Sequence, residues 1–336
     1  MQDLLRQLNR EYSLGATELR PMRSIWKVIS PKGCFVLKRM PGNADQILFQ
    51  ANCINLLKRS GFTKATPMAP TKDGLPYLYC NERFYTLSPW YNGINASFNQ
   101  PKQVEKIAET FGALHQTSLT AINPSNFKST NQLTHFLNGE AFLKATYNNL
   151  TQTKGLRHVD HTIKNWSQYY LFQASFSIKN LMQQDYNSWF SQTHNQGFCH
   201  NDPAPRNILL QKGDLCLIDW EHSCGNTFLQ ELATLISRVL QVNGWNHQLL
   251  ELIATRYSQV RKIEPAEQQM LPFLFCFPQR FWRLCSQRFQ EKPDWSERHF
   301  QQRIWEITHS ETERLRFLKT NFRELQNLPD LPGGGR

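Results

Sequence analysis

The sequence predicts an α+β fold in two lobes, a small antiparallel β lobe with one main helix followed by a larger, mostly helical lobe. Three observations carry this expectation. Short β-rich runs separated by turn residues fill the chain as far as residue 90. Helical periodicity takes over beyond residue 100. At 336 residues the chain exceeds one compact core, while 40% hydrophobic and 12% aromatic residues supply a sizeable interior. We place the β-rich lobe at 1–92, the helical lobe at 93–330 and a flexible tail at 331–336, where the chain ends Pro-Gly-Gly-Gly-Arg.

Taken in order, IWKVIS (25–30), the turn Pro31-Lys32-Gly33 and CFVLKRM (34–40) predict a β-hairpin. Residues 44–60 predict a helix, because Ile47, Ala51, Ile54 and Leu57 recur near the helical period and Ser60-Gly61 offers a stop. GLPYLYC (74–80) and RFYTLSPW (83–90) suggest a further strand pair. From 102 to 117, Val104, Ile107, Ala108, Phe111 and Leu114 share one helical face. The Asn- and Thr-rich stretch 119–160 is expected as loop with short helices that shape a substrate site. Helices are expected at 161–193 and 228–242, with one long polar helix over 298–327.

Bulk properties narrow the function classes. The net charge of +11 fits scattered surface Lys and Arg or attraction to something acidic such as a nucleotide. No dense basic run interleaved with aromatics appears, so sequence-specific nucleic-acid binding is not expected. The eight cysteines form no C-x-x-C pair and no zinc-spaced cluster, and most lie in apolar segments such as LCLID. They read as reduced thiols of a cytosolic-type compartment. MQDLLRQLNREYSL lacks the apolar core of a signal peptide, and no apolar run approaches ~18 residues, so neither export nor a membrane span is expected.

The chemistry-bearing stretch is FCHNDPAPRNILLQKGDLCLIDWEH, residues 198–222. NILLQ (207–211) and LCLID (215–219) flank a turn at Lys212-Gly213-Asp214. A hairpin centred on Gly213 sets Asn207 opposite Asp219, with 207, 209 and 211 sharing a face with 215, 217 and 219. An amide oxygen and a carboxylate converging there make a hard-oxygen donor set suited to Mg²⁺ on phosphate. Asp202 lies in a loop stiffened by Pro203 and Pro205, where a carboxylate can orient a hydroxyl and take its proton. His200 is expected to support that loop. Arg206 either neutralises a transferred phosphate or pairs with an acid.

The pattern H-x-D-x-x-x-x-N, then strand, turn and strand ending in Asp, resembles the catalytic loop and metal-binding Asp of the aminoglycoside phosphotransferase and choline kinase branch of the protein-kinase-like fold. The resemblance implies ATP and Mg²⁺ as cofactors. It implies Asp202 as catalytic base, with Asn207 and Asp219 as the metal-binding positions. It also calls for a cation on the phosphates, for which Lys38 in CFVLKRM is the candidate, with Arg23 and Ser24 assisting from the phosphate-covering segment. Arg39 falls on the opposite strand face.

Along residues 10–325, the order of KVISPKGCFVLKR, LFQANCINLLKRSGF, Trp90 to Gly93, LHQTS, CHNDPAPRNILL, LIDWE and FPQRFWRL resembles CotS-type spore coat proteins. That likeness implies transfer of the ATP γ-phosphoryl group to a hydroxyl of a small molecule or saccharide. It also implies other spore coat proteins as partners, and synthesis in the cytoplasm followed by assembly into the coat. Two departures stand out. The helix 44–60 holds no Glu, its one acid being Asp45, so Gln50 or Asn52 is left to contact Lys38. Residues 19–26, LRPMRSIW, lack the glycine-rich pattern. A kinase-like scaffold with little or no catalysis is the alternative that these departures support.

Overall fold

The computed structural model describes residues 2–124, 127 and 129–332. Its contacts divide the chain into two compact units, one formed by Met1–Lys128 with Gly197–Gly225, the other by Ser129–Gln196 with Asn226–Arg336. Residues 333–336 of the expected tail lie outside the described residues.

The first unit opens with α1 (Gln2–Tyr12), β1 (Glu18–Met22), β2 (Ile25–Ser30) and β3 (Gly33–Met40), followed by α2 (Ala44–Arg59). It continues with β4 (Leu78–Cys80), β5 (Arg83–Pro89), β6 (Ile94–Asn95) and α3 (Pro101–Ala121). Five strands form one antiparallel sheet in the order β1-β2-β3-β5-β4. Leu19, Val28, Leu37 and Leu87 alternate inward from successive strands and pack with Leu4, Leu8 and Tyr12 of α1. Those three residues recur every fourth position, which gives α1 its single apolar stripe. The side chain of Asn9 fixes the exit from α1, donating to the carbonyl of Ala16 (2.8 Å) and accepting from its amide (2.6 Å).

The expected helix at 44–60 appears as α2. Asn43 caps it by accepting from the Gln46 amide (3.0 Å), and Ile47, Ala51, Ile54 and Leu57 are buried as their spacing requires. Of the pair expected at 74–80 and 83–90, only Leu78–Cys80 of the first segment pairs, with β5 as its partner.

The second unit begins with α4 (Gln132–Gln152), α5 (His158–Gln183) and α6 (Tyr186–Phe190). The 21-residue α4 corrects the expectation of loop and short helices over 119–160. Its Asn residues, Thr134 and Thr151 face outward, while Leu133, Phe136, Leu143, Thr146 and Leu150 are buried. Glu140 accepts from Ser175 of α5, and Gln168 donates to the Tyr147 hydroxyl (2.7 Å). Packing against a neighbouring helix thus overrides weak propensity.

The chain next forms β7 (Gln196–Cys199), β8 (Ile208–Gln211), β9 (Asp214–Leu217) and β10 (Cys224–Thr227). Six further helices follow: α7 (Phe228–Val242), α8 (His247–Ser258), α9 (Pro265–Cys276), α10 (Gln279–Ser286), α11 (Glu297–His309) and α12 (Glu311–Asn321). The last two replace the single helix expected over 298–327. Ser310 ends α11 by donating to the carbonyls of Glu306 (2.9 Å) and Ile307 (3.1 Å). The break lets α12 bury Glu311 and Arg314 beside Leu315 and Leu318. Among the described residues no helix is long and apolar enough to cross a membrane.

Candidate active site

All of the geometry that follows belongs to the first unit. The hairpin β8–β9 forms as expected, but its register differs by one residue. Ile208 faces Leu217 and Gln211 faces Asp214, so the connection is the two-residue turn Lys212-Gly213. Both residues have positive φ, 51° and 90°, the geometry that matches the twist of paired strands. Asn207 is therefore level with Ile218, whose amide donates to the Asn207 carbonyl (3.0 Å), and Asp219 lies one residue beyond the ladder. The expectation that 207 and 219 face each other by strand alternation is corrected. A turn centred between residues 212 and 213, not on Gly213, shifts every pair by one.

What turns Asp219 toward the cavity is its own backbone. Its φ and ψ, 65° and 61°, are left-handed, an uncommon state for a non-glycine residue, and they end β9 abruptly. A short 3₁₀ turn over Trp220–His222 follows, closed by Ser223, whose hydroxyl (2.6 Å) and amide (3.0 Å) donate to the Trp220 carbonyl. The Trp220 indole N–H donates to the carbonyl of Leu217 (3.1 Å), and its ring stacks on Phe198.

The loop after β7 is tied to this strand end. His200 is buried, and its Nε2 donates to the carbonyl of Ile218 (2.8 Å) while Nδ1 accepts from the Asp202 amide (3.3 Å). That pair of partners fixes one neutral tautomer. Asp202 is only 6% exposed. Its Oδ2 accepts from Asn207 Nδ2 (2.6 Å) and from the exposed Arg206 guanidinium (2.7 Å). Asn207 Nδ2 also donates to the Asp202 carbonyl (3.0 Å), which commits the amide nitrogen to the loop and leaves its oxygen as an acceptor.

Lys38, on β3 opposite Thr86 of β5, pairs with the Asp219 carboxylate and with Glu221 Oε2 at 2.9 Å. From sequence, Glu221 could either orient Asp219 or lie at the surface, and its contact with Lys38 was not anticipated. Its signal is its spacing, two residues past Asp219 across a 3₁₀ turn. Gln50 of α2 does not contact Lys38 as anticipated. Its Nε2 donates to the carbonyls of Glu221 and Ser223, both at 3.1 Å.

Arg23 and Ser24 are the whole connection between β1 and β2, since Met22 pairs with Ile25. They line a cavity of about 380 Å³ together with Lys38, Arg206, Asn207 and Asp219. Val36, Met68, Leu209 and Ile218 give the same cavity an apolar wall. Of the anticipated site residues, Lys38, Arg23, Ser24, Arg206, Asn207 and Asp219 border this one space. Asp202 and His200 stand behind it, attached through Asn207 and Ile218.

A model of the phosphotransferase enzyme family (APH) matches residues 23–270. The chain belongs to this family. As a member of the phosphotransferase family it shares its fold with an aminoglycoside phosphotransferase from Alicyclobacillus acidocaldarius, at TM-score 0.82 and 19% identity, with 95% of each chain covered. Spectinomycin phosphotransferase, in complex with ADP and spectinomycin, is similar over 97% of this chain and 98% of its own, at TM-score 0.62 and 14% identity. Choline kinase from Streptococcus pneumoniae matches at TM-score 0.52 and 14% identity, covering 92% of this chain and 98% of its own. At these identities the likeness establishes the kinase-like fold. No curated protein sequence matches the chain.

Proposed function

We propose that this phosphotransferase-family chain transfers the γ-phosphoryl group of ATP to a hydroxyl of a small molecule or saccharide. One observation carries the reading. A metal-type donor pair and a strand lysine border one 380 Å³ cavity, and behind it a loop carboxylate is hydrogen-bonded to Asn207 of that pair. Related folds have been seen with nucleotide bound, as the complex of spectinomycin phosphotransferase with ADP illustrates.

The donor set fits a hard divalent cation. Asn207 presents an amide oxygen because its nitrogen is spent on Asp202, and Asp219 presents a carboxylate. Asn207 and Asp219 would hold Mg²⁺, which when bound neutralises charge on the phosphate oxygens. Lys38 holds the phosphates from the strand side, with Arg23 and Ser24 at the β1–β2 turn. Asp202 accepts the proton of the acceptor hydroxyl as the new O–P bond forms and the bond to the β-phosphate oxygen breaks, releasing ADP. His200 keeps the Asp202 loop on the strand end, and Arg206 is free to turn from Asp202 to the transferred group. In this reading 1–92 is the nucleotide lobe and 93–330 the catalytic and substrate lobe.

The test incubates purified protein with ATP, Mg²⁺ and a panel of hydroxyl acceptors, beside Asp202→Ala and Asp219→Ala. Transfer by the unmodified chain that both substitutions abolish is expected. Equal transfer by all three, or by none, overturns the proposal. A Mg²⁺-dependent rise in melting temperature on adding nucleotide is expected alongside.

A second reading is a CotS-type coat-associated protein, partnered by other spore coat proteins, that uses the fold as a scaffold with little turnover. The β1–β2 turn without glycine and the missing helix Glu favour it. Loss of a phosphorylated metabolite on gene deletion, with coat composition unchanged, would overturn this second reading.

A further inference from the structure

We propose that Glu221 is the positioning residue for Lys38, taking over from the 219–223 turn the task that kinases commonly give to an acid on the helix after the lysine strand. The inference rests on the reading of the cavity as a Mg²⁺–ATP site. Three observations carry it.

Lys38 has two carboxylate partners on one turn, Asp219 and Glu221. They differ in what else they are needed for. Asp219 borders the cavity as a metal-type donor, and a divalent cation bound there competes with Lys38 for the same negative charge. Glu221 Oε2, at 2.9 Å, holds Lys38 when that competition is lost.

The helix side offers no replacement. Among the buried residues of α2 the one polar side chain is Gln50, 1% exposed. Its Nε2 is committed to two backbone carbonyls, those of Glu221 and Ser223. A carboxylate in its place would face those carbonyl oxygens and be repelled. A neutral amide is what this position requires, so the charge must come from elsewhere.

Gln50 also shows how helix position still reaches the lysine. It clamps the backbone of the very residue whose side chain grips Lys38. The support runs from α2 through the Gln50 amide to the 221–223 backbone, then through the Glu221 carboxylate to Nζ. Among the described residues the Gln50 Oε1 atom is buried without a hydrogen-bond partner, a cost that a side chain kept for packing alone would not incur. The amide is therefore retained for its two donated bonds.

Calorimetric titration of the full chain with a non-hydrolysable ATP analogue and Mg²⁺ tests this, using Glu221→Gln, Lys38→Met and the double variant. Glu221→Gln is expected to weaken nucleotide binding by about tenfold, the usual worth of one charge-assisted contact. Lys38→Met should weaken it at least as much, and the double variant no further than Lys38→Met alone. Unchanged affinity in Glu221→Gln overturns the inference. So does a Glu221→Gln loss that adds in full to that of Lys38→Met, since Glu221 would then act on the metal or on the fold. If Glu221→Gln does not fold, Gln50→Leu replaces it and the same outcomes are read. An unmodified chain that binds no Mg²⁺–nucleotide overturns the phosphotransferase reading and this inference together. Binding by that chain beside an unaffected Glu221→Gln overturns the inference alone.

Discussion

The two units treat charge in opposite ways. In the second, Arg314 is buried with both terminal amino groups engaged, donating to Glu311 (2.6 Å), Gln173 (2.9 Å) and the carbonyls of Phe275 and Cys276 (2.7 Å each). Glu311 in turn accepts from the Tyr169 hydroxyl (2.9 Å) and Gln173 Nε2 (3.2 Å). Burial, and then the Glu311 carboxylate, pushes the phenols of Tyr169 and Tyr170 well above their ordinary value, so they stay donors throughout the physiological range. Arg261 and Glu267 form a second closed pair with bonds of 2.9 and 3.2 Å. In the first unit, Lys38 is shared by two acids at a cavity and Arg206 lies exposed on Asp202. A cation enclosed by its partners fixes a fold. One that borders an open space can exchange a carboxylate for a phosphate.

Breaking a closed network should have the largest effect. Arg314→Leu leaves Glu311 buried without its cation and is expected to lose about 3–5 kcal/mol in chemical denaturation. Retention of unmodified stability would show that the network is dispensable. Opening the exchangeable set should move chemistry and spare the fold. Asp202→Ala is expected to slow phosphoryl transfer by about 10²–10⁴-fold. Its stability should stay within about 1 kcal/mol, because Asn207 keeps its bond to the backbone carbonyl of residue 202. Lys38→Met sharpens the contrast further. Its unliganded melting temperature should change little, while the rise induced by Mg²⁺–nucleotide disappears.

The smallest effect concerns thiols. Burial pushes Cys53 up to about 12 and Cys276 up to about 11, so at pH 8 both stay protonated and unreactive. A maleimide should label the exposed Cys34 in the native chain and reach Cys53 and Cys276 only after unfolding, as mass spectrometry would show.

Much of the first unit was legible because its signals are local. The hairpin at 25–40 announces itself by two β-branched and aromatic runs around Pro31-Lys32-Gly33, and α2 by its apolar period and the stop at Ser60. The loop from His200 to Asn207 was legible as a pattern of residue types. What escaped depends on contacts far apart in sequence. Helix α1 and strand β1 are short, and are stabilised by burying Leu4, Leu8 and Leu19 with strands that follow. Helix α4 hides its stripe among Asn and Thr, and the break at Ser310 is needed only because Glu311 and Arg314 turn inward. The hairpin register turned on a single residue, since Lys212 adopts a backbone state that its type does not advertise. The partnership of Lys38 with Glu221 joins residues 183 positions apart on no periodic face, and only the folded turn reveals it.

The β1–β2 connection has one more consequence. Arg23 and Ser24 are its entire length, held between the paired residues Met22 and Ile25. Two residues pinned at both ends have little conformational freedom of their own to lose when a ligand binds. Nucleotide should therefore enter and leave without a slow ordering step on this edge. Stopped-flow transients should follow a single exponential, with an observed rate that rises linearly with nucleotide concentration and shows no plateau.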